Sequence, residues 1–380
     1  MKAKSINGKS VQEIKSALIE SMSDGFKPTL AFVFISIKHE RNEIISIMNS
    51  YNIQIFGVTS SGEICDSEVL RESISILLMD MNRANFKILL EEYGKTDPVE
   101  LAKTMTGNAM KLYEKPAFIL SNSVADITEM AVSEKILYSI SEVAGKDAVI
   151  WGGGAGDDLR FKETFTFTNN KKTNNGILLL VIDNNNVIVK GRAATGQKPV
   201  GTQKTITKVE DNWILEIDNQ PAAELMPKFL GLNLTEEKYK EFNIGTVILS
   251  LSKEKGEPLI RSSMGLNWDN KGLAVSGRVK VGDRIRLTLP PDFEVIEEVS
   301  ADAKKIQSAE MPEADALLMF SCIGRLDVFG PLTSDEVNGI RNAFKVPMAG
   351  FFTYGEYGRA TGGDNEFHNM TCCWVALKEK

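Results

Sequence analysis

The chain has 380 residues, 43% of them hydrophobic and 25% charged, which predicts a globular protein of two domains with a large core. Its formal net charge of −7 argues against a nucleic-acid partner, because phosphate binding needs a concentrated basic face. No apolar run approaches the roughly 20 residues that span a bilayer, and the four cysteines lack paired CxxC spacing, so we expect a cytoplasmic protein without membrane insertion, zinc site or disulfide framework.

The first elements in chain order predict an α/β unit. Residues 5–25 carry apolar side chains at helical spacing, which predicts a short amphipathic helix, and the apolar strand Ala31–Ser36 follows it. A helix at Glu40–Ser50 leads to a second strand, Ile53–Phe56, which runs into a loop with two glycines. The strand Ser73–Met79 follows that loop.

The next stretch repeats this order of elements. It predicts a strand at Phe86–Tyr93, a helix from Pro98 toward Tyr113 capped by Asp97, a strand at Ala117–Ser121, a helix at Thr128–Val143 begun by Thr128, and strands at Ala148–Trp151 and Gly176–Ile182. We expect two hairpins, one between Ser73–Met79 and Phe86–Tyr93 and one between Gly176–Ile182 and Val187–Arg192.

The pattern of predicted helices and strands changes near Trp213, so we predict two domains, residues 1–215 and residues 216–380. The second domain begins with a helix from Pro221 through Phe229. It continues with a short helix at Thr235–Phe242, strands at Thr246–Ser250, Pro258–Met264, Leu273–Val275 and Asp283–Leu289, and a long helix at Asp292–Ser308. A third unit then follows, with strands at Leu317–Ser321, Pro347–Ala349 and Cys372–Leu377.

A glycine loop that occurs three times is the most informative feature of the sequence. It reads GVTSSGE at residues 57–63 and GFFTYGE at residues 350–356, each after an apolar strand. A looser copy, GGGAGDD at residues 152–158, follows Trp151, which holds the first-glycine position. Glycine-rich loops can present bare N–H groups to a ligand. The repeat predicts an α/β fold of two packed domains with mixed sheets, built from related strand–helix–strand–loop–strand units, and a binding site at equivalent corners.

Five motifs occur in order along the sequence: FGVTSSGEI at residues 56–64, GGGAGD at 152–157, FSCIGR at 320–325, GFFTYGE at 350–356 and FHN at 367–369. Together they resemble the FIST family of paired N-terminal and C-terminal domains. The resemblance implies a sensory module of intracellular signal transduction that binds a small molecule, with amino-acid-like ligands. Some members of the family are haem-based nitric oxide sensors, so haem is the alternative ligand.

The resemblance also implies a partner. Many members of the family join this pair of domains to kinase, chemotaxis or cyclic-dinucleotide outputs, whereas this sequence ends at Lys380 without one. We therefore expect the signal to pass to a separate protein, such as a histidine kinase or a cyclic-dinucleotide enzyme.

The acid at the end of each loop favours a zwitterionic ligand over a phosphate, since the acid would repel a phosphate. In this hypothesis the acids bind the ligand's ammonium group, glycine N–H groups bind its carboxylate, an arginine clamps that carboxylate, and Tyr354 and His368 shape the pocket. The candidate ligand-binding residues are Ser60, Ser61, Gly62, Glu63, Gly153, Gly154, Asp157, Arg325, Tyr354, Gly355, Glu356, His368 and Asn369.

Several of these residues have structural alternatives. The loop acids could cap nearby N–H groups in ordinary turns, Arg325 could pair with an acid such as Asp327, and Tyr354 could belong to the core. His368 could be structural or could bind haem iron. Catalysis by Cys322 or by Ser61 is a third class of function. No complete nucleophile–base–orienter set is visible in the sequence, so we expect a binding protein and not an enzyme.

Overall fold

The computed structural model describes residues 1–125, 131–229, 231–232, 247–254, 256–289 and 292–380. Within them the chain is a mixed α/β protein with two compact units. The first unit comprises Met1–Ala194, Asp292–Phe367 and Thr371–Lys380, and the second comprises Thr195–Pro291 and His368–Met370. The first unit thus draws on both halves of the sequence. The predicted boundary at residue 215 rests on a change in the pattern of predicted helices and strands, and it stays a prediction.

The helices bury one apolar face each, and two of them begin at side-chain caps. The Ser10 side chain accepts a hydrogen bond from the Glu13 N–H. The Asp97 side chain accepts hydrogen bonds from the N–H groups of Val99 and Glu100, which confirms the predicted cap. The helices are α1 (Val11–Ser21), α2 (Arg41–Ser50), α3 (Pro98–Ala109), α4 (Ala131–Ala144), α5 (Ala222–Phe229), α6 (Glu294–Ala309), α7 (Ile323–Phe329) and α8 (Thr333–Phe344). None of these helices has both the length and the apolar character needed to cross a bilayer.

Strands outnumber helices in the described part of the chain. In the first half of the chain they are β1 (Ala3–Gly8), β2 (Leu30–Ser36), β3 (Gln54–Ser60), β4 (Glu63–Cys65), β5 (Glu68–Leu70), β6 (Ile74–Met79), β7 (Phe86–Glu92), β8 (Pro116–Ser123), β9 (Val149–Gly153), β10 (Thr166–Phe167), β11 (Lys172–Thr173), β12 (Gly176–Asp183) and β13 (Val187–Ala194). In the second half they are β14 (Lys198–Glu210), β15 (Trp213–Ile217), β16 (Gln220–Pro221), β17 (Ile248–Leu251), β18 (Leu259–Asn267), β19 (Gly272–Val275), β20 (Arg284–Leu289), β21 (Ala316–Cys322), β22 (Met348–Thr353), β23 (Glu356–Gly358), β24 (Glu366–His368) and β25 (Cys372–Glu379).

Three six-stranded sheets in the described residues share one strand order. From one edge to the other they read β1-β6-β2-β3-β10-β11, β7-β12-β8-β9-β23-β24 and β13-β25-β21-β22-β4-β5. In each sheet the strand before the glycine loop runs parallel to the strand upstream of it, and the downstream strand is antiparallel. The predicted strand–helix–strand–loop–strand unit is therefore confirmed in all three copies.

A short strand lies after each glycine loop and before the downstream strand of that copy. This short strand joins the sheet of another copy. β4 pairs with β22, β23 pairs with β9, and β10 pairs with β3. Since β3, β9 and β22 are the strands that lead into the three loops, the exchange forms a closed cycle. This cycle brings the three loops to the same place in the first unit.

The two predicted hairpins are wrong. β7 pairs with β12 and not with β6, and β13 pairs with β25 and not with β12. In both cases a turn joins the last strand of one copy to the first strand of the next copy, which belongs to another sheet. A short turn between apolar strands favours a hairpin, but it carries no information about where one copy ends.

The first strand of each copy was not recognised as part of the repeated unit. β1, β7 and β13 all lie at an edge of their sheets. At the N-terminus the single helix predicted for residues 5–25 is wrong in its first part, since β1 ends at Gly8 and α1 begins only after the Ser10 cap. The apolar positions at helical spacing, from Val11 to Met22, lie in or next to α1 and carry no information about the residues before it.

The sheets of the first unit are buried on both faces. All seven residues of β2 are buried. Leu30, Phe32 and Phe34 pack in a central cluster that also holds residues of the other two sheets. The intervening positions 31, 33 and 35 pack with Ile14 of α1 and Ile44 of α2. Corresponding clusters lie under α3 and α4 and under α6 to α8, so helices cover the outer faces of the three sheets, which explains their continuous apolar runs.

The second unit contains an antiparallel sheet that closes on itself. Its order is β14-β20-β17-β18-β19-β15-β16, with an additional pairing between β14 and β15. The long β14 makes this closure, because its first part pairs with β20 and its last part with β15. Met226 of α5 packs in the core of this unit with Leu249 and Ile285. The predicted helix Thr235–Phe242 and the predicted cap Thr128 lie outside the described residues.

Candidate functional site

The three glycine loops meet in the first unit through backbone hydrogen bonds; we call residues 59–63, 154–157 and 352–356 the loop junction. The Phe352 N–H donates to the Gly62 carbonyl at 2.9 Å, which joins the first and third loops. The Gly154 N–H donates to the Gly355 carbonyl at 2.8 Å, which joins the second and third loops. The Gly156 N–H donates to the Thr59 carbonyl at 2.8 Å, which joins the second and first loops.

Glu63 of the first loop is a wholly buried carboxylate. Its Oε1 accepts a hydrogen bond from Ser60 Oγ, and its Oε2 accepts from the N–H and the Oγ of Ser73 at 3.0 and 2.6 Å. Burial raises the pKa of this carboxyl to about 7, although the three hydrogen bonds oppose the rise. Glu63 therefore changes its charge close to neutral pH.

Glu356 of the third loop repeats this arrangement. It is also fully buried, its Oε1 accepts from Thr353 Oγ1, and its Oε2 accepts from the Thr371 N–H at 3.4 Å. Burial raises its pKa to about 8. In both loops the hydroxyl that bonds the glutamate lies three residues before it, and the other donor directly precedes the downstream strand. The two loops are thus equivalent in chemistry as well as in sequence.

Glu63 should make the protein less stable as the pH rises. An acid whose pKa is raised by folding binds more protons when folded, so its contribution is greatest at low pH and is lost between pH 4.5, the ordinary value, and about 7. We expect Glu63 to lower the unfolding free energy by about 2 kcal/mol from pH 5 to pH 8. Urea unfolding of the parent chain and of Glu63→Gln at both pH values measures this share: the variant should lose about 2 kcal/mol less than the parent and should keep the loss that Glu356 causes. An equal loss in both chains would contradict the assignment.

Asp157 of the second loop has other partners, because Gly154 stands where the first and third loops carry Ser60 and Thr353. Asp157 is 1% exposed. It accepts hydrogen bonds from Tyr354 Oη at 2.5 Å and from the N–H groups of Phe161 and Lys162 at 3.0 and 2.8 Å. Burial raises the pKa of Tyr354, and its bond to Asp157 raises it further.

The segment after the second loop has a strained backbone; we call residues 158–161 the cap segment. Asp158, Leu159 and Phe161 have φ angles of 56°, 60° and 50°, in the left-handed region that costs roughly 1–2 kcal/mol per non-glycine residue. The Phe161 ring is 46% exposed and stacks on the Tyr354 ring, with centroids 5.1 Å apart. The Leu159 N–H donates to Tyr354 Oη at 3.0 Å. The cap segment is therefore held to the loop junction by Tyr354.

Two glycines of the junction keep a free backbone donor. Gly62 and Gly355 have φ angles of 117° and 105°, and within the described ranges neither of their N–H groups donates a hydrogen bond to the protein. Gly153, by contrast, is paired with Glu356 in the sheet. An additional Cβ atom there would lie 2.5 Å from Thr353 Cγ2, so this glycine serves close packing.

Arg325 is wholly buried in α7 and forms an ion pair with Glu336 of α8. Its Nε donates to one carboxylate oxygen at 3.2 Å and its Nη2 to the other. The structural alternative for Arg325, an ion pair with a nearby acid, is therefore present, but the acid is Glu336 of the neighbouring helix α8 and not Asp327. A role for Arg325 in clamping a ligand stays a prediction.

His368 and Asn369 belong to the second compact unit. His368 is 5% exposed at the end of β24. Asn369 accepts a hydrogen bond from Ser276 Oγ at 2.7 Å. No group of three or more metal-ligating side chains occurs among the residues that the structure describes.

Sequence reasoning missed four residues that the loop junction uses: Ser73, Thr353, Thr371 and Phe161. One signal was available, because a hydroxyl three residues before the glutamate occurs in both loops, as Ser60 before Glu63 and Thr353 before Glu356. The contact of Phe161 with Tyr354 joins residues far apart in the chain, and nothing local indicates it.

Comparison with known proteins identifies two domains in this chain. A family model described as the FIST N domain matches residues 29–220, and one described as the FIST C domain matches residues 212–359. A search of curated proteins finds no match.

Proposed function

The chain belongs to the FIST family, whose domains are associated with sensory signal transduction, and from this premise we propose that it is a small-molecule sensor and not an enzyme. Its ligand is amino-acid-like and binds at the loop junction. The bound state is read by a separate signalling protein, such as a histidine kinase or a cyclic-dinucleotide enzyme, in the cytoplasm.

The observation that carries this proposal is the pairing of free donors with buried acids at the loop junction. Within the described ranges the N–H groups of Gly62 and Gly355 donate to no protein group, and both glycines are buried. These N–H groups would bind a ligand carboxylate once the ligand has entered the junction. Each lies next in sequence to a buried glutamate, Glu63 or Glu356. A ligand with both a carboxylate and an ammonium group matches these donors and acceptors, and an ammonium close to Glu63 would lower its raised pKa and favour the ionised form.

Ligand entry would require the cap segment to move, because Asp157 and the two glutamates are buried. The strain of its three left-handed residues favours such an opening, since their release would return about 1–2 kcal/mol each. The stacking of Phe161 on Tyr354 and the bond from Tyr354 to Asp157 oppose it. The cap segment would then have a closed and an open state, and a ligand that binds one of them better would shift their populations.

A titration of the full chain with the standard amino acids tests the proposal. Thermal-shift screening should detect a ligand, which adds about 2.7 kcal/mol of stability at a hundredfold excess over its dissociation constant. In calorimetry, Glu63→Gln should weaken the binding of that amino acid about tenfold, because the amide loses a charge-assisted bond to the ammonium. The control variant is Glu72→Gln, which replaces an exposed acid that pairs with Lys38. This variant should bind the amino acid with unchanged affinity. No binding by any amino acid, or full affinity in Glu63→Gln, would overturn the site.

Haem is the second candidate ligand, through His368 as the axial side chain. Haem loading of the purified chain would then give a Soret band that His368→Ala loses. The third class, hydrolysis by Cys322 or Ser61, predicts a hydrolytic activity that Cys322→Ala or Ser61→Ala abolishes. If the chain binds an amino acid and shows neither a Soret band after haem loading nor a hydrolytic activity, the results support a sensor of amino-acid-like ligands.

A further inference from the structure

The second unit contains a pocket of about 140 Å³ between α5 and the strands β14, β17 and β20; we call it the barrel pocket. Its described lining residues all belong to the second unit, and none of them is part of the loop junction. The mouths of closed β-sheets are common places for small-molecule sites. The barrel pocket is therefore a candidate site of its own.

Strand register defines the inner wall of the barrel pocket. Leu287 of β20 pairs with Val200 of β14 on one side and with Leu249 of β17 on the other. Paired residues of neighbouring strands lie on the same face of a sheet. Leu249 packs in the core of this unit, so all three side chains face inward. Met226 and Phe229 of α5 complete the apolar lining.

The described inner wall of the barrel pocket carries no free charge. Arg286 pairs with Ser250, which places its side chain on the other face of β20 from the residues that line the pocket. The Lys204 ammonium lies 2.9 Å from the Asp218 carboxylate, so its charge is already paired. A charged ligand would lose its water shell here without gaining a partner. The lining thus favours a neutral ligand.

The apolar side chains of the barrel pocket favour an aromatic ring. Phe229 offers a ring that a second ring can stack on or meet edge to face. The Met226 side chain is 1% exposed, and a thioether makes favourable contacts with the edge of an aromatic ring. A cavity of about 150 Å³ with an apolar lining admits one benzene ring. The size of the pocket therefore limits the ligand to a single ring.

A β-bulge of β14 adds polar backbone groups to this apolar lining. Residues 201–203 lie opposite the single residue Arg286 of β20. A bulge leaves backbone groups outside the strand ladder, and Gly201 and Thr202 of this bulge line the pocket. A hydroxyl group on a ligand can bond such a backbone group either as donor or as acceptor.

We propose that the barrel pocket is a second ligand site of this protein, which binds a neutral molecule with one aromatic ring and one hydroxyl group, the phenol class. The ring lies against Phe229, Met226 and Leu249. The hydroxyl group lies at the bulge, on the backbone of Gly201 or Thr202. Because this lining is separate from the loop junction, the barrel pocket and the proposed amino-acid site are tested independently.

Fluorine NMR titration of the full chain with 4-fluorophenol tests this site. We expect saturable binding with a dissociation constant of about 1 mM. Fluorobenzene lacks the hydroxyl group and should bind about fivefold more weakly, whereas 4-fluorobenzoate carries a charge without a partner and should bind about tenfold more weakly or not at all. Absence of saturable 4-fluorophenol binding below about 10 mM, or equal binding of fluorobenzene or of the benzoate, would overturn the proposal.

Two tryptophan variants of β20 locate the binding. Leu287→Trp should weaken 4-fluorophenol binding about tenfold or more, because the indole occupies the space of the ligand's ring in a closely packed site. Leu289→Trp is the matched control and should leave binding unchanged, since Leu289 is 55% exposed and outside the lining. A thermal melt of each variant checks that it is folded, and Val200→Phe, opposite Leu287 on β14, takes the place of Leu287→Trp if that variant does not fold. Equal affinity of the pocket variant and the control would refute the site.

Discussion

Replacement of Gly152 by alanine should lower the free energy of unfolding by about 4 kcal/mol or more. A loss of this size is a large part of the total stability of a typical protein, so most molecules should be unfolded at ordinary temperatures. A Cβ atom at this position would lie 1.8 Å from the carbonyl oxygen of Leu120, on the neighbouring strand β8. The φ angle of Gly152 is also 146°, which residues with a side chain rarely adopt. Both conflicts involve backbone atoms, so side-chain repacking cannot relieve them. Urea denaturation, or the soluble yield if the variant does not fold, measures the effect.

Gly107 in α3 provides the matched control. A Cβ atom there would meet no atom within 4 Å, and Gly107 lies inside a helix. Alanine is preferred over glycine in a helix interior by about 1 kcal/mol, so Gly107→Ala should stabilise the protein slightly. If Gly152→Ala were as stable as Gly107→Ala, β8 and β9 could not be as close as the structure has them.

Replacement of Arg325 by methionine should have the second large effect, a loss of about 3–5 kcal/mol of unfolding free energy. Arg325 and Glu336 are both 0% exposed, and their pair joins α7 to α8. Methionine keeps most of the apolar stem of the arginine but leaves the Glu336 carboxylate buried without its cation. Chemical denaturation of the variant against the parent chain measures this loss.

A double variant separates the ion pair from simple packing. Arg325→Met with Glu336→Met removes both charges, so it should recover a large part of the stability that the single variant loses. The exposed pair of Lys38 and Glu72 is the surface control, and Lys38→Met should have no measurable effect because solvent screens that pair. A double variant as unstable as the sum of two single variants would show that the charges do not interact.

The loop junction was only partly predictable from the sequence. The acids Glu63 and Glu356 were recognised because each ends a glycine loop, a pattern visible within seven residues. None of their hydroxyl partners was predicted, although Ser60 and Thr353 each lie only three residues before the glutamate that they bond. For Arg325 the sequence offers an ion pair with a nearby acid such as Asp327 as one of two alternatives, and the structure places Glu336 beside it instead. Local patterns identify such groups, whereas their partners depend on how helices pack.

The sequence by itself determined the repeated unit, the family and most helices and strands of the first unit, because apolar spacing, caps such as Asp97 and paired glycines are local signals. Only the tertiary structure decided which strands pair and that the three loops meet. The physical reason is that every strand offers the same backbone hydrogen bonds. Strands buried on both faces, such as β2, also lack the alternation of apolar and polar residues that would mark one face and one neighbour. The exchange of strands among the three sheets therefore depends on contacts between residues far apart in the chain.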